Sequence, residues 1–370
     1  MPPDLTTPLS PPPDAPALTG LLPEEVAAAL PGEPAFRARQ VLEWVYEKRA
    51  ESWESMTTLG KALRTSLAAR HPLYTMKVAR VQGSRDTTQK FLFKLHDGRY
   101  VESVLIPATP GMDGARSTRR TLCVSSQVGC AYDCKFCASG LAGFTRNLRP
   151  DEIVEQVLQA EKHSADRVDN VVFMGMGEPL ANYTNVTRAI RILQAEWGMG
   201  IGARRITVST SGLAPQIKKL ATFEVPVRLA LSLHGATDEV RSRIMPVNNR
   251  YPLAVLTEAL EYFRQHRKQR ISFEYILIED VNDSPDEAAA LVRMARRLDA
   301  KVNLIPYNTV DGLEWKRPDE ERITSFAATL ERAGIPATVR REKGHDIDAA
   351  CGQLRLRQES EDAYGSKIIG

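Results

Sequence analysis

Residues 130–137 read Cys130-Ala131-Tyr132-Asp133-Cys134-Lys135-Phe136-Cys137, three thiols spaced C-x3-C-x2-C. They follow a short apolar run at 121–125 that has strand character. Three thiolates this close can share one metal centre. Held by three ligands only, a four-iron cluster keeps one corner open for an outside group. The competing reading is a structural zinc site completed by Cys123, Cys351 or a histidine. Zinc sites favour C-x2-C pairs, and here only Cys134 to Cys137 makes that step.

Downstream of this loop, short apolar runs at 170–174, 205–209, 227–232, 271–277 and 302–305 alternate with amphipathic stretches. The stretches at 151–162, 186–196, 253–267, 286–298 and 319–333 carry helical spacing. Alternation of this kind predicts parallel β/α units. With the run at 121–125 there are six units rather than eight, an α/β fold built as an incomplete (β/α)6 barrel. In such folds the loops after the strands carry the chemistry, and the cysteine loop stands after the first.

Upstream, Phe36, Val41, Leu42, Val45 and Tyr46, then Leu59, Leu63 and Leu67, recur at helix spacing. Runs at 90–95 and 100–106 flank Asp97-Gly98, a hairpin signal. The expected organisation is a disordered, proline-rich tail at 1–17, a helical accessory domain at 18–80 and a β-hairpin linker at 81–115. A core barrel at 116–346 and a loop-like tail at 347–370 carrying Cys351 follow.

Of 370 residues, 43% are hydrophobic and 26% charged, the profile of an ordinary globular protein. No run of about 18 apolar residues exists, so no membrane partner is expected. Net charge is only +3, but residues 34–80 hold nine basic side chains against four acidic ones. Such a local excess can meet a phosphate backbone. A second basic group, Arg116, Arg119, Arg120, Lys135, Arg146 and Arg149, brackets the cysteine loop. Phe36, Trp44, Tyr46 and Trp53 read as core rather than as stacking platforms. Five cysteines are too few and too clustered for a secreted disulfide framework, which points to a reducing cytoplasm.

The spacing Cys130-x3-Cys134-x2-Cys137, with Phe136 before the last thiol, resembles the signature of the radical-SAM superfamily. Further segments resemble the bacterial adenine-C2 RNA methyltransferase family, RlmN. They are Thr121-Leu122-Cys123-Val124-Ser125-Ser126-Gln127-Val128-Gly129, Met174-Gly175-Met176-Gly177-Glu178-Pro179, Ser209-Thr210-Ser211-Gly212, Leu231-Ser232-Leu233-His234, Asn303-Leu304-Ile305-Pro306-Tyr307-Asn308 and Asp346-Ile347-Asp348-Ala349-Ala350-Cys351-Gly352.

The resemblance implies a [4Fe–4S] cluster on Cys130, Cys134 and Cys137, and S-adenosylmethionine (SAM) bound by Gly177, Glu178, Ser209, Ser232, Leu233, His234 and Asn308. Electron transfer into SAM then gives methionine and a 5′-deoxyadenosyl radical. Cys351 would carry a methyl group as S-methylcysteine, two SAM being consumed per methyl transferred. Cys123 would resolve the product through a transient disulfide with Cys351, and Glu102 would accept a proton. The implied substrates are 23S rRNA at the peptidyl-transferase centre and tRNA just 3′ of the anticodon, with flavodoxin or ferredoxin as electron donor. Adenine C8 methylation, a zinc-stapled RNA-binding protein and a glycyl-radical activating enzyme are the rival readings. The last gives Cys351 no role.

Overall fold

The computed structural model describes residues 15–84, 87–108, 119–141, 143–308, 312–340 and 353–369. The chain opens with α1 (Pro23–Ala28), α2 (Phe36–Tyr46) and α3 (Lys61–Ala68). Helix α2 forms because Ala38, Val41, Leu42, Val45 and Tyr46 fall on one stripe, and that stripe is buried. Strands β1 (Lys77–Gly83), β2 (Gln89–Lys94), β3 (Tyr100–Pro107) and β4 (Arg120–Cys123) come next. The cysteine segment lies between β5 (Gln127–Gly129) and β6 (Phe144–Asn147), with the short α4 (Ala138–Leu141) inside it.

Alternating units follow: α5 (Pro150–Ser164), β7 (Asn170–Phe173), α6 (Tyr183–Gln194), β8 (Ile206–Thr210), α7 (Ala214–Ala221) and β9 (Arg228–Ser232). Then come α8 (Asp238–Ile244), α9 (Leu253–His266), β10 (Ser272–Leu277), α10 (Pro285–Arg297), β11 (Lys301–Pro306), α11 (Glu320–Arg332), β12 (Ala337–Val339) and α12 (Gln353–Ile369). Helix starts are chemically marked. Glu152 accepts from the Arg149 amide at 2.8 Å, Ser284 from the Glu287 amide at 3.2 Å and Asp319 from the Arg322 amide at 2.7 Å.

Ten strands form one sheet in the order β1-β2-β3-β4-β7-β8-β9-β10-β11-β12. Strands β4 and β7 to β12 run parallel, while β1 to β3 join antiparallel through the β3–β4 pair. Two expectations change here. The hairpin at 81–115 is not a separate linker but the antiparallel end of the main sheet, and it begins earlier, with β1 at Lys77. The short β12 adds a further parallel strand beyond the six expected.

Register fixes which side chains share a face. Lys90, Val104, Cys123, Val172, Thr207 and Arg228 form one continuous cross-sheet row. Glu102, Ser209, Ser232 and Glu274 follow at even spacing or in direct pairing, so all look to the same side as Cys123. The opposite side packs against helices in a single core cluster running from Leu18 to Ile335.

The N-terminal helices belong to that same core. Ala17, expected in the disordered tail, is fully buried, its amide donating to Asp151 Oδ2 at 3.0 Å. Residues 1–14 lie outside the described residues. The expected loop after 347 also changes, because 353–369 is helical. Leu354 packs against Leu92 and Tyr100, on the face that carries Glu102.

Candidate active site

The cysteine loop is pinned at its base by the β5–β6 pair. Gly129 stands at φ +77°, and a Cβ there would lie 1.8 Å from the Gly143 carbonyl oxygen. That same oxygen accepts from the Cys130 amide at 3.0 Å. From outside, the Lys135 amide donates to the Ile244 carbonyl at 2.9 Å, and Trp315 Nε1 donates to the Lys135 carbonyl at 3.0 Å.

Cys130, Cys134 and Cys137 form one wall of a cavity of about 300 Å³. The facing wall comes from strand C-terminal ends: Gly177 and Glu178 after β7, Ser209 on β8, Ser232 and His234 at β9, Glu274 on β10. Burial pushes the Cys130 thiol up to about 12 and Cys134 well up, and the neighbouring thiolates add repulsion. Thiols raised in this way ionise together only beside a compensating positive charge, which is what iron would supply. Among the described residues no three His, Cys, Asp or Glu side chains are close enough to hold a single ion. A four-iron cubane spaces its sulfur ligands more widely than one ion does. Buried atoms on the cavity wall, Glu274 Oε2 and Ser139 Oγ among them, have no hydrogen-bond partner, so the wall is chemically incomplete without a polar ligand. The residues present fit the cluster and SAM.

Gly177 takes φ +96° because the β7 loop crosses β5 closely; a Cβ would stand 2.4 Å from Gln127 Cβ. Glu178 is buried, its Oε1 accepting from the Leu180 amide at 3.0 Å and its Oε2 from the Ser211 amide at 2.7 Å. Burial raises its pKa against the pull of those donors. His234 sits at φ +56° and meets Phe136 edge-to-face at 4.8 Å. Its Nδ1 accepts from the Ile276 amide at 3.0 Å, which assigns the proton to Nε2. Ser209 and Ser232 Oγ lie 3.3 Å apart. Leu233 is fully buried behind the cavity, and neither it nor Asn308 is among the residues lining it.

Glu102, an ordinary strand carboxylate by sequence, is 2% exposed. Its Oε2 lies 2.9 Å from Lys90 Nζ, and its Oε1 accepts from the Arg355 amide at 2.6 Å. Cys123 is buried in the neighbouring strand on the same face. Neither is among the residues lining the cavity; both stand beside it on the shared sheet face. Cys351 lies outside the described residues, and no disulfide joins Cys123, Cys130, Cys134 or Cys137.

Sequence reasoning missed Lys90, Glu274 and Arg241. Arg241 is fully buried, held to about 10 by burial, and ties the loops after β8 and β9 together through the Ser211 and Leu233 carbonyls and Asn248. A charged residue inside an apolar strand run was the available signal for Lys90 and Glu274. The basic group around the loop is largely neutralised: Arg120 pairs with Asp166, Arg146 with Asp97 and Glu152, Arg149 with Asp151. Arg116 lies outside the described residues. Tyr46 and Trp53 are core, as expected, whereas Phe36 is 54% exposed.

A three-thiol loop after the first parallel strand, facing a cavity at the strand ends, is the arrangement of a radical SAM enzyme. The Radical SAM superfamily model matches residues 124–292, and the ribosomal RNA large subunit methyltransferase N-terminal domain matches 26–72. A solved radical SAM methyltransferase from Sphaerobacter thermophilus superposes with a TM-score of 0.85 at 45% identity, over 91% of this chain and 98% of that one. The fold and site are thus those of a radical SAM methyltransferase.

The "Probable dual-specificity RNA methyltransferase RlmN" of Akkermansia muciniphila is 54% identical over 94% of this chain and 98% of its own length. The "Dual-specificity RNA methyltransferase RlmN" of Campylobacter fetus is 44% identical over 93% and 99%. The chain belongs to the RlmN methyltransferase family.

Proposed function

We propose that this enzyme methylates carbon 2 of adenosine in 23S rRNA, at the peptidyl-transferase centre, and in tRNA, at the adenosine 3′ of the anticodon. The observation that carries this reading is the burial of Glu102 beside Cys123, in contact with the start of α12. This contact supports Glu102 as the proposed proton acceptor and Cys123 as the proposed resolving thiol, with Cys351 as the proposed methyl carrier.

Carbon 2 lies between two ring nitrogens and is too electron-poor to attack a sulfonium, so the methyl must first be held on the protein. The Cys351 thiolate suits this as a strong nucleophile, one SAM supplying its methyl and a second its activation. Cys130, Cys134 and Cys137 would hold the cluster, which would supply one-electron reduction of SAM and a one-electron acceptor for the RNA adduct. Flavodoxin or ferredoxin is the proposed source of electrons. Gly177, Glu178, Ser209, Ser232 and His234, which line the cavity, hold SAM against the cluster.

Once the Cys351 carbon is bonded to carbon 2, Glu102 accepts the carbon-2 proton. Cys123 sulfur bonds to Cys351 sulfur as the sulfur–carbon bond breaks, its electron pair passing to the carbon, which takes a proton to become methyl. A thiol reductant then reopens the disulfide. The adenine must leave its stack to present carbon 2, which favours flipped or unpaired targets. A reducing, cytoplasmic setting suits this thiol chemistry, and no helix among the described residues is long and apolar enough to cross a membrane.

The test is anaerobic incubation of reconstituted protein with methyl-labelled SAM and each RNA. Label is expected in 2-methyladenosine and on Cys351, and Cys351→Ala should abolish both. Label in 8-methyladenosine would overturn the regiochemistry, and a colourless zinc protein that leaves SAM intact would overturn the whole reading.

A further inference from the structure

Lysine on the inward face of a sheet carries a large desolvation cost, so its partner identifies its use. Lys90, on β2, has a side chain with no exposed surface, and its Nζ meets Glu102 Oε2 at 2.9 Å. The register sets Lys90 opposite Val104 and diagonal to Glu102, on the inward face. Glu102 Oε1 turns the other way and accepts the Arg355 amide at 2.6 Å. Beside that contact Leu354 is fully buried against Leu92 and Tyr100, and Tyr100 Oη donates to Asp362 Oδ2 at 2.8 Å. Helix α12 is thereby registered on β3 at the carboxylate itself.

We propose that Lys90 is a positioning residue for the methyl transfer: its ion pair holds Glu102 turned so that one oxygen anchors the start of α12, keeping the proton acceptor in register with that helix. This rests on the proposed roles of Glu102 and Cys351. A buried ion pair that serves stability alone is matched by apolar side chains of similar volume. An apolar pair, however, cannot keep a carboxylate charged or offer an acceptor to the Arg355 amide. Among the described residues, the charged or titratable groups near Glu102 include Arg355 of α12, whose Nε donates to Glu359 at 2.7 Å, and Cys123 of β4. Lys90 is the cation in direct contact with the carboxylate.

The experiment uses the full-length chain as Lys90→Gln, Lys90→Arg and Glu102→Gln. In cluster-free protein, Lys90→Gln should lose amide-exchange protection at Leu354 and Arg355, and Lys90→Arg should regain it. In reconstituted protein with the tRNA substrate, Lys90→Gln should split SAM and methylate Cys351 at the wild-type rate. It should then accumulate a covalent protein–RNA adduct on denaturing gels, with release slowed about 10- to 100-fold. Lys90→Arg should restore the release rate.

Wild-type protection and release rate in Lys90→Gln would overturn the proposal. Should that variant not fold, Lys90→Arg decides: wild-type release supports the charge role, and adduct accumulation overturns it. Normal release from Glu102→Gln would sink the proton-acceptor reading itself, whereas a trapped adduct there with none in Lys90→Gln sinks only the inference about Lys90.

Discussion

His234 shows how burial sets a protonation state that the site can use. Its ring is buried, and burial with the nearby Arg241 cation holds its pKa down at about 3, against 6.5 for the ordinary side chain. It is therefore neutral at working pH, with Nδ1 occupied by the Ile276 amide and Nε2–H left as a donor. A depressed histidine contributes stability that is complete above 6.5 and is lost as pH falls towards 3. Between pH 7 and pH 5 the cluster-free chain should lose about 2 kcal/mol from this source. His234→Asn keeps an acceptor for the Ile276 amide and tolerates the left-handed backbone, so its urea-unfolding stability should fall less over the same interval. Parallel pH dependences in the two proteins would contradict the assignment.

Among elements, the loop after β7 tolerates little change. At Gly177, φ +96° coincides with the 2.4 Å approach of an added Cβ to Gln127 Cβ. Gly177→Ala should cost about 1–3 kcal/mol by melting and weaken SAM binding by at least tenfold in equilibrium dialysis. An unchanged affinity would show that the loop can shift freely. The strands were legible in the sequence because parallel strands with no exposed face read as apolar runs: the expected run 170–174 is β7, and 302–305 is β11. Elements without such a run escaped. Helix α7 has eight residues and α8 seven, too short to establish a period, and β1 alternates between exposed and half-buried without an apolar face. Helix α12 lacks a stripe, Leu354 and Leu356 being two residues apart, so nothing announced it. The cysteine loop and the strand-end residues were legible because their spacing is local. The Lys90–Glu102–Arg355 contacts were not, because they join residues from β2, β3 and α12 that only the folded sheet brings together.

On the scale of the whole molecule, the N-terminal helices and the barrel behave as one body because α5 staples them. Glu155 receives the Thr19 hydroxyl at 2.8 Å, the Thr75 amide at 2.8 Å and the Met76 amide at 3.0 Å, while Asp151 takes the Ala17 amide. Arg188 adds a hydrogen bond to the Gly20 carbonyl at 2.8 Å, and Tyr46 Oη one to the Thr19 carbonyl at 2.7 Å. Removing the carboxylate in Glu155→Ala would strand two amides and a hydroxyl, at a cost of about 2–4 kcal/mol. With one continuous core, that loss should lower a single calorimetric transition rather than split off an early N-terminal one. The same staple makes stability depend on pH. Burial, reinforced by Asp151, pushes Glu155 up to about 8 from 4.5. The folded state therefore keeps a proton that the unfolded chain has released above 4.5, and stability falls as pH rises until about 8. From pH 6 to pH 9 the wild-type chain should lose about 2–3 kcal/mol through Glu155. Glu155→Gln, which cannot ionise, should start less stable at pH 6, because it offers fewer acceptors, and then lose less by pH 9. Thermal melts of both proteins across that interval measure the difference directly. If the two lines run parallel, Glu155 is already ionised in the fold and the docking of the N-terminal layer is insensitive to pH.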